Sequence, residues 1–302
     1  MDLLSLTREN LKYFSKVSPE LNCYIKNIKD FEGDIQNNKA FNFIPEFIII
    51  YFLKKVRKGF DQTLIIKDKN FRYRLRRSLL RKYKHSYQML LAAFDIISKL
   101  GEKFHLNLYQ VAIGSYLHDI GRFVEYSKDG INNHDHAQIG YNQFRKDLKR
   151  DRSLEKTLKC FNCNIKSILN VIRKHSKYKY YGDDKYVHLA RDADKLSLLR
   201  NYNLQMGFIK DLKDLKGWSV TDRCRSDFVN LGVVINGNMM SKGDIILRNI
   251  SYFKQFYFDR TKSIAVKEKL YFKWEAVLKK YVKKVDIDIL KKCREINSNL
   301  YN

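Results

Sequence analysis

Apolar residues recur every three or four positions along most of the chain, which is the spacing of one face of an α-helix. The clearest pattern passes through Leu90, Phe94, Ile97 and Leu100, and Gly101 ends it. The same spacing predicts further helices at residues 3–16, 45–58, 106–120, 134–148, 164–175 and 187–202. The predicted fold class is therefore all-α.

The rest of the pattern agrees with a helical protein. Residues 206–302 are mostly helical in pattern, most clearly at 251–260 and 265–284, whereas residues 63–73 alternate imperfectly and are interpreted as a short hairpin or loop. Only 2 prolines and 13 glycines are present, which favours long helices over a turn-rich β architecture. The 20 Tyr and 19 Phe argue against disorder.

Two further features bear on location. The longest apolar run, Phe47 to Leu53, is far shorter than the about 20 residues that a membrane-spanning helix needs. Five scattered cysteines are typical of a protein of the reducing cytoplasm, which is the expected location. Cys160 and Cys163 form a lone Cys-x-x-Cys, a poor zinc site without a second pair.

The charge balance adds a class of partner. The formal net charge of +26 implies a polyanion, either nucleic acid, a phosphorylated small molecule or an anionic surface. The alternative is codon bias, since an AT-rich genome also enriches Lys, Asn, Ile and Tyr. A basic stretch at residues 72–84 either concentrates anionic substrate or is a solvated helix face. Its cations are Arg72, Arg74, Arg76, Arg77, Arg81, Lys82 and Lys84.

The candidate chemistry centres on His118 and Asp119, which are neighbours in an apolar run that begins near Val111. Burial of an ionisable pair is costly unless both groups are paired or bind a metal. Other histidines lie near the ends of predicted helices, at positions 85, 134, 136 and 175, and an acidic segment follows at 191–196. Imidazoles and carboxylates that converge from several helices indicate a divalent-metal site.

Three motifs in this order resemble the HD-domain metal-dependent phosphohydrolase superfamily, especially its small bacterial members. They are His118-Asp-Ile-Gly-Arg122, His136-Ala-Gln-Ile-Gly140 and Arg191-Asp-Ala-Asp-Lys-Leu196. The resemblance covers about residues 77–202. It implies an all-helical HD bundle at residues 76–205, between a helical N-terminal region at 1–75 and a helical C-terminal region at 206–302.

The resemblance also implies one or two divalent ions, which Mn, Fe, Ni, Co, Zn or Mg would all satisfy. The implied ligands are His85, His118, Asp119 and Asp194, with His136 and His175 for a second ion. Arg122 and Lys195 are the implied contacts to substrate phosphate, or alternatively form a salt bridge to a ligating carboxylate. Asp119 or His136 would pass protons.

In two pairs of residues that lie two positions apart, only one member is expected to be a metal ligand. Asp192 and Asp194 point to nearly opposite sides of a helix, so only one can face the site. The family pattern places the ligand directly before Lys195, which selects Asp194 and leaves Asp192 as an outer or surface carboxylate. His134, two residues before His136, is likewise expected to face solvent or to lie outside the ligand set.

Two departures from the family narrow the substrate. No proline follows Pro45, so the Asp-Gly-x-Gly-Tyr-Pro loop of cyclic-dinucleotide phosphodiesterases is absent, and no Glu-Asp pair marks a ppGpp hydrolase. The predicted function is a phosphomonoesterase or phosphodiesterase that cleaves a phosphate ester, in the first place of a nucleotide, by metal-activated water. The alternative is a nuclease or a nucleic-acid-binding protein on an HD scaffold. The complete ligand set favours an enzyme, and no membrane association is expected.

Overall fold

The computed structural model describes residues 3–19, 39–98, 100, 105–125, 135–177, 179–212, 215, 217–282 and 285–301. These residues form α-helices and short 3-10 turns and contain no β-strand, so the all-α prediction is confirmed. None of their helices has the length and apolar character needed to cross a membrane. The chain divides into two compact units. The first comprises Met1–Ile97, Gly101–Lys177 and Gly182–Ala190, and the second comprises Ser98–Leu100, Tyr178–Tyr181 and Arg191–Asn302.

The helices of the first unit carry the first two motifs, whereas the third motif, at residues 191–196, lies in the second unit. The helices of the first unit are α1 (Leu3–Val17), α2 (Glu46–Gln62), α3 (Lys69–Ile97), α4 (Leu108–Leu117), α5 (Ile120–Glu125), α6 (His136–Arg150), α7 (Arg152–Cys160) and α8 (Ile165–Lys174). Helix α9 (Lys185–Arg200) begins in this unit and continues into the second.

One hydrophobic core joins α1 and α2 to the helices that carry the motifs. The ring of Phe14 stacks on Phe60 at 4.4 Å between centroids, and Phe52 lies 4.3 Å from Tyr116. Tyr83 is fully buried between these elements. The N-terminal helices therefore share a core with the helices that carry the candidate site. The domain boundaries at residues 75 and 205 stay a prediction.

The prediction of a short hairpin or loop over residues 63–73 is wrong. A 3-10 turn, Thr63–Ile65, follows α2 directly, and α3 already begins at Lys69. Arg76 explains this arrangement, because its Nε donates to Thr63 Oγ1 at 2.7 Å and its guanidinium also donates to the Val17 carbonyl at 2.9 Å. Arg76 is buried, so the basic stretch is not simply a solvated helix face.

The second unit is built from the C-terminal part of α9 and six further helices. These are α10 (Tyr202–Asp211), α11 (Asp222–Leu231), α12 (Lys242–Ser251), α13 (Asp259–Lys267), α14 (Leu270–Tyr281) and α15 (Ile287–Tyr301). Its core surrounds Trp274, whose indole N–H donates to the Leu199 carbonyl at 3.1 Å.

The two C-terminal helices predicted from the sequence are divided differently in the structure. Residues 251–260 cross a 3-10 turn and an extended segment around Phe256, and are not one helix. Residues 265–284 span α13 and α14, which are separated where Lys269 adopts a left-handed backbone conformation with φ of 52°.

Candidate metal centre

His118 and His175 are held by the same local device at the ends of two helices. His118 follows the last residue of α4, and its Nδ1 donates to the Ser115 carbonyl at 2.7 Å. His175 follows α8 in the same way, and its Nδ1 donates to the Ile172 carbonyl at 3.0 Å. Because a carbonyl can only accept, Nδ1 is the donor in both bonds, and the Nε2 atom of each ring faces the carboxylate of Asp119. The last carbonyls of the two helices thus orient both rings.

Asp119 lies between these rings, in the turn that joins α4 to α5. Its Oδ1 is 3.2 Å from His136 Nε2 and 3.6 Å from His175 Nε2. Its Oδ2 is 3.4 Å from His118 Nε2 and 2.5 Å from Lys82 Nζ. The donor atoms of His118, Asp119 and His175 all lie within 4.8 Å of one another, and all three residues are buried. Four predicted ligands therefore converge within the first unit.

His136 occupies the first position of α6, where Asp135 caps the helix. The Asp135 carboxylate accepts the backbone N–H groups of Ala137 and Gln138 at 3.1 and 3.3 Å. This cap fixes the start of the helix and thereby the direction of the His136 side chain. His136 Nε2 lies 3.3 Å from His175 Nε2, so the two rings of the second predicted ion site face each other.

The protonation states suit metal ligands. Burial alone would raise the pKa of Asp119, but Lys82 and the neighbouring His118 and His136 hold this pKa well below its usual value. Asp119 is thus a carboxylate at neutral pH. Burial lowers the pKa of His136 to about 4, against the opposing effect of Asp119, so its imidazole is neutral at pH 7. Metals bind the neutral ring and the ionised carboxylate.

His85 lies on α3 and belongs to the same cluster. Its ring centroid is 5.1 Å from that of His118, and only 4% of the residue is exposed. Although His85 follows the basic stretch in the sequence, it is therefore not an exposed histidine on a solvated helix face.

Lys82 is the functional residue that sequence reasoning missed. It lies one helical turn before His85, on the same side of α3, and its ammonium group pairs with Asp119. The side chains of Lys82 and Asp119 are only 12% and 2% exposed. Its spacing of three residues from His85, a predicted ligand, is the only signal in the sequence that distinguishes Lys82 from the other basic residues of the stretch.

The geometry fits a divalent ion. Nε2 of His118 is buried and has no hydrogen-bond partner within the described part of the chain. A buried polar atom without a partner is costly, and a metal ion would satisfy it. Imidazole nitrogens with a carboxylate are a donor set that suits Zn, Fe, Mn, Ni or Co more than Ca. The described residues therefore provide a site for a metal, with its identity open.

The remaining predicted residues are placed as follows. Arg122 Nε lies 4.0 Å from Asp119 Oδ1, and a fifth of the side chain is exposed. Asp194 and Lys195 lie on α9 beyond Ala190, in the second unit, and their roles stay predictions. Burial and the neighbouring Arg191 lower the pKa of Lys195 to about 8. His134 lies outside the described residues.

Asp192 is not a surface carboxylate. It is 1% exposed and accepts hydrogen bonds from the backbone N–H groups of Tyr257 and Phe258 and from the Thr261 hydroxyl, at 2.8 to 3.0 Å. These partners all belong to the second unit. Asp192 thus anchors the segment before α13.

Histidine and aspartate side chains gathered at the ends of helices form a group that could hold a divalent metal ion. Residues 83–199 match the family model of the HD domain, from within α3 to within α9. The chain therefore contains an HD domain, and the resemblance seen in its three motifs is confirmed. Neither a curated protein nor a solved structure matches the chain. The HD domain supports metal-dependent phosphohydrolase chemistry and leaves the substrate open.

Proposed function

We propose that this protein is a metal-dependent phosphohydrolase that cleaves a phosphate ester of a nucleotide. The observation that carries the proposal is the buried group of His118, Asp119 and His175, in which the Nε2 of His118 has no hydrogen-bond partner among the described residues. Lys82 compensates the charge of Asp119, but Nε2 of His118 keeps no hydrogen bond to a described residue, and a bound ion would satisfy this buried atom. The HD match supports the proposal, because an HD domain suggests metal-dependent phosphohydrolase activity.

The proposed ligands divide into two sets. His85, His118, Asp119 and Asp194 would hold the first ion, and His136 and His175 would hold a second. Support for the first set comes from the short distance between the His85 and His118 rings and from the family motif that contains Asp194. Support for the second set comes from the approach of His136 and His175 to the same oxygen of Asp119.

The chain's own residues bind and orient the substrate. A divalent ion, when bound, lowers the pKa of a coordinated water and polarises a phosphoryl oxygen. Arg122 lies beside Asp119, and its planar guanidinium suits two oxygens of a phosphate group. Lys195 is the second candidate for phosphate contact, and proton transfer is assigned to Asp119 or His136.

Nucleotides are favoured over nucleic acid because the basic stretch is partly used for other purposes. Arg76 fastens α3 to the N-terminal helices, and Lys82 pairs with Asp119. Two of the seven cations are therefore structural or belong to the site, and the stretch does not present a continuous charged face. A nuclease activity is the alternative outcome of the test below.

The test combines metal content with hydrolysis. Protein purified without chelator is analysed for bound metals, and is then assayed with p-nitrophenyl phosphate, bis(p-nitrophenyl) phosphate, nucleoside mono-, di- and triphosphates, and single-stranded RNA. We expect one or two ions per chain and hydrolysis of a nucleotide. The double variant His118→Ala/Asp119→Ala should lose both while keeping its helical circular dichroism.

The control is His105→Gln, since His105 is exposed and lies outside the cluster. It should keep metal and activity. His136→Ala and His175→Ala should each remove at most one ion. Hydrolysis retained by the purified double variant would refute the metal mechanism, and cleavage of RNA without cleavage of nucleotides would favour a nuclease.

A further inference from the structure

An open cavity lies in the first unit, away from the histidine cluster. Its volume is about 260 Å³, and it is lined by α2, the end of α6 and the start of α7. Four of its eight lining side chains are basic. The lining residues are Tyr51, Lys54, Lys55, Lys58, Asp147, Arg150, Asp151 and Leu154.

The base of this cavity is a closed and neutral network. Asp147 accepts hydrogen bonds from Tyr51 at 2.7 Å and from Gln143 at 2.9 Å, and it pairs with Lys55 at 2.6 Å. The side chains of Lys55 and Asp147 are 18% and 14% exposed. Burial alone would raise the pKa of Asp147, but its hydrogen bonds, first of all that from Lys55, lower this pKa. Lys55 and Asp147 thus cancel each other's charge and give the cavity a fixed polar base.

The other carboxylate is also occupied. Asp151 caps α7, and its Oδ1 accepts the backbone N–H and the hydroxyl of Ser153. Its charge faces the N-terminus of a helix, where a carboxylate is stabilised. The hydrogen bond from Ser153 together with the charge of Lys54 lowers the pKa of Asp151. Three exposed cations line the mouth: Lys54, Lys58 and Arg150. Lys54 and Lys58 are one turn apart on α2, so they share a face.

We propose that this cavity binds a small anion that carries two or more negative charges on adjacent phosphate groups, such as a pyrophosphate moiety. Three cations around one cavity can all attract the same bound anion. The planar guanidinium of Arg150 can also donate two parallel hydrogen bonds to phosphate oxygens. A nucleic acid strand carries one charge per phosphate and is followed by cations arranged along a line. The volume is below the roughly 300 Å³ at which pockets for drug-sized ligands begin, which also favours a compact anion.

The cavity is separate from the proposed phosphohydrolase centre. His136 and Arg150 are the two ends of α6, and fourteen residues at about 1.5 Å each place them roughly 21 Å apart along the helix. A ligand of this size cannot reach both, so the inference does not depend on the proposed function. Its failure would leave the metal site untouched.

The test compares two triple variants with equal loss of charge. The first is Lys54→Gln/Lys58→Gln/Arg150→Gln, which removes the mouth of the cavity. The control is Arg145→Gln/Lys146→Gln/Lys156→Gln, since these three residues are exposed and basic on α6 and α7 but do not line the cavity. Binding of inorganic pyrophosphate to the full-length, metal-free protein is measured by calorimetry at low and at physiological ionic strength. A single-stranded oligonucleotide is titrated in parallel, and melting curves show that both variants fold.

We expect wild type and control to bind pyrophosphate with one site per chain, and the cavity variant to bind at least tenfold more weakly. Equal loss in both triple variants would show attraction by general charge only and would overturn the proposal. Absence of pyrophosphate binding in wild type would overturn it too. If the cavity variant lost only oligonucleotide binding, the site would be a nucleic-acid contact instead.

Discussion

The backbones of Gly121 and Gly140 touch each other. A Cβ atom on Gly121 would lie 2.6 Å from Gly140 N and 1.9 Å from the His136 carbonyl oxygen, and one on Gly140 would lie 3.0 Å from Gly121 N. Each of the two positions thus requires glycine because a Cβ atom would clash with the backbone of the other, and this close approach packs α5 against the first turn of α6. Because Asp119 directly precedes α5 and His136 begins α6, this contact sets the 3.2 Å distance between their side chains. The glycines of the first two motifs serve the geometry of the site.

Gly121→Ala should therefore destabilise the protein and impair metal binding. The added methyl group has only backbone atoms to displace, so α5 and α6 must separate. We expect the free energy of unfolding in urea to fall by at least about 2 kcal/mol, near the upper part of the range for overpacked sites. Bound metal should fall as well, since His136 moves away from Asp119.

Gly207→Ala is the matched control. Gly207 lies inside α10, and a Cβ there would meet no atom within 4 Å. Alanine in an open helical position should stabilise the protein by roughly 0.5–1 kcal/mol. If Gly121→Ala behaved like Gly207→Ala in both measurements, the close approach of α5 and α6 would not be required.

Cysteine reactivity should separate Cys160 from the other described cysteines. Cys160 is exposed, whereas burial raises the pKa of Cys163, Cys224 and Cys293 to about 11. At pH 8 a thiol with this pKa is ionised in about one molecule per thousand, and only the thiolate reacts. Native protein treated with iodoacetamide at pH 8 should carry label at Cys160 at least tenfold faster, as mapped by mass spectrometry of its peptides. The same treatment in urea should label all of them, and equal native rates would contradict the buried positions.

The fold class and the site motifs could be predicted from the sequence because both depend on local patterns. Apolar residues at helical spacing mark most of the helices, and the three motifs in their order identify the HD domain. The division of the helix at the site could not be predicted in this way. The helix predicted at 106–120 is in fact two helices: α4 ends at Leu117, the turn falls at His118 and Asp119, and Gly121 lies inside α5. Its missing side chain serves packing against Gly140, which no local pattern reveals.

The different roles of neighbouring charges were also hidden. Arg74, Arg76 and Lys82 look alike within the basic stretch. In the structure Arg74 is exposed, Arg76 is buried against Thr63, and Lys82 reaches Asp119. Partners that lie 13 and 37 positions away decide these differences. Tertiary contacts of this length leave no periodic signal in the sequence.

Asp192→Asn and Asp194→Asn should affect different properties. An asparagine at 192 keeps one acceptor oxygen and loses the negative charge, so its amide NH₂ group, in the place of the other oxygen, faces the backbone N–H of Tyr257, which now donates to both carboxylate oxygens. We expect the free energy of unfolding to fall by about 1–3 kcal/mol with metal content unchanged. Asp194→Asn should instead lower metal content with a small effect on stability. The reverse result for the two variants would make Asp192 the ligand.

Lys82→Met should strengthen metal binding and lower the stability of the metal-free protein. The ammonium group of Lys82 lies 2.5 Å from Asp119 Oδ2, the oxygen that also faces His118. In the metal-free state it neutralises a carboxylate that is only 2% exposed, so its removal leaves a buried charge without its nearest cation. If an ion is bound by Asp119, the same ammonium group would repel it and compete for its ligand. Lys82 would therefore stabilise the metal-free protein at the expense of metal binding.

The measurement is a calorimetric titration of the chelator-treated protein with Zn²⁺ and Mn²⁺, beside thermal melting with and without metal. We expect the dissociation constant of Lys82→Met to fall at least tenfold, a gain of about 1.4 kcal/mol, and the melting temperature of the metal-free protein to fall. Lys84→Met removes the same charge from α3 at a position that points nearly opposite to Lys82, and should change neither. Weaker metal binding by Lys82→Met would show instead that the lysine holds Asp119 in the orientation that the ion needs.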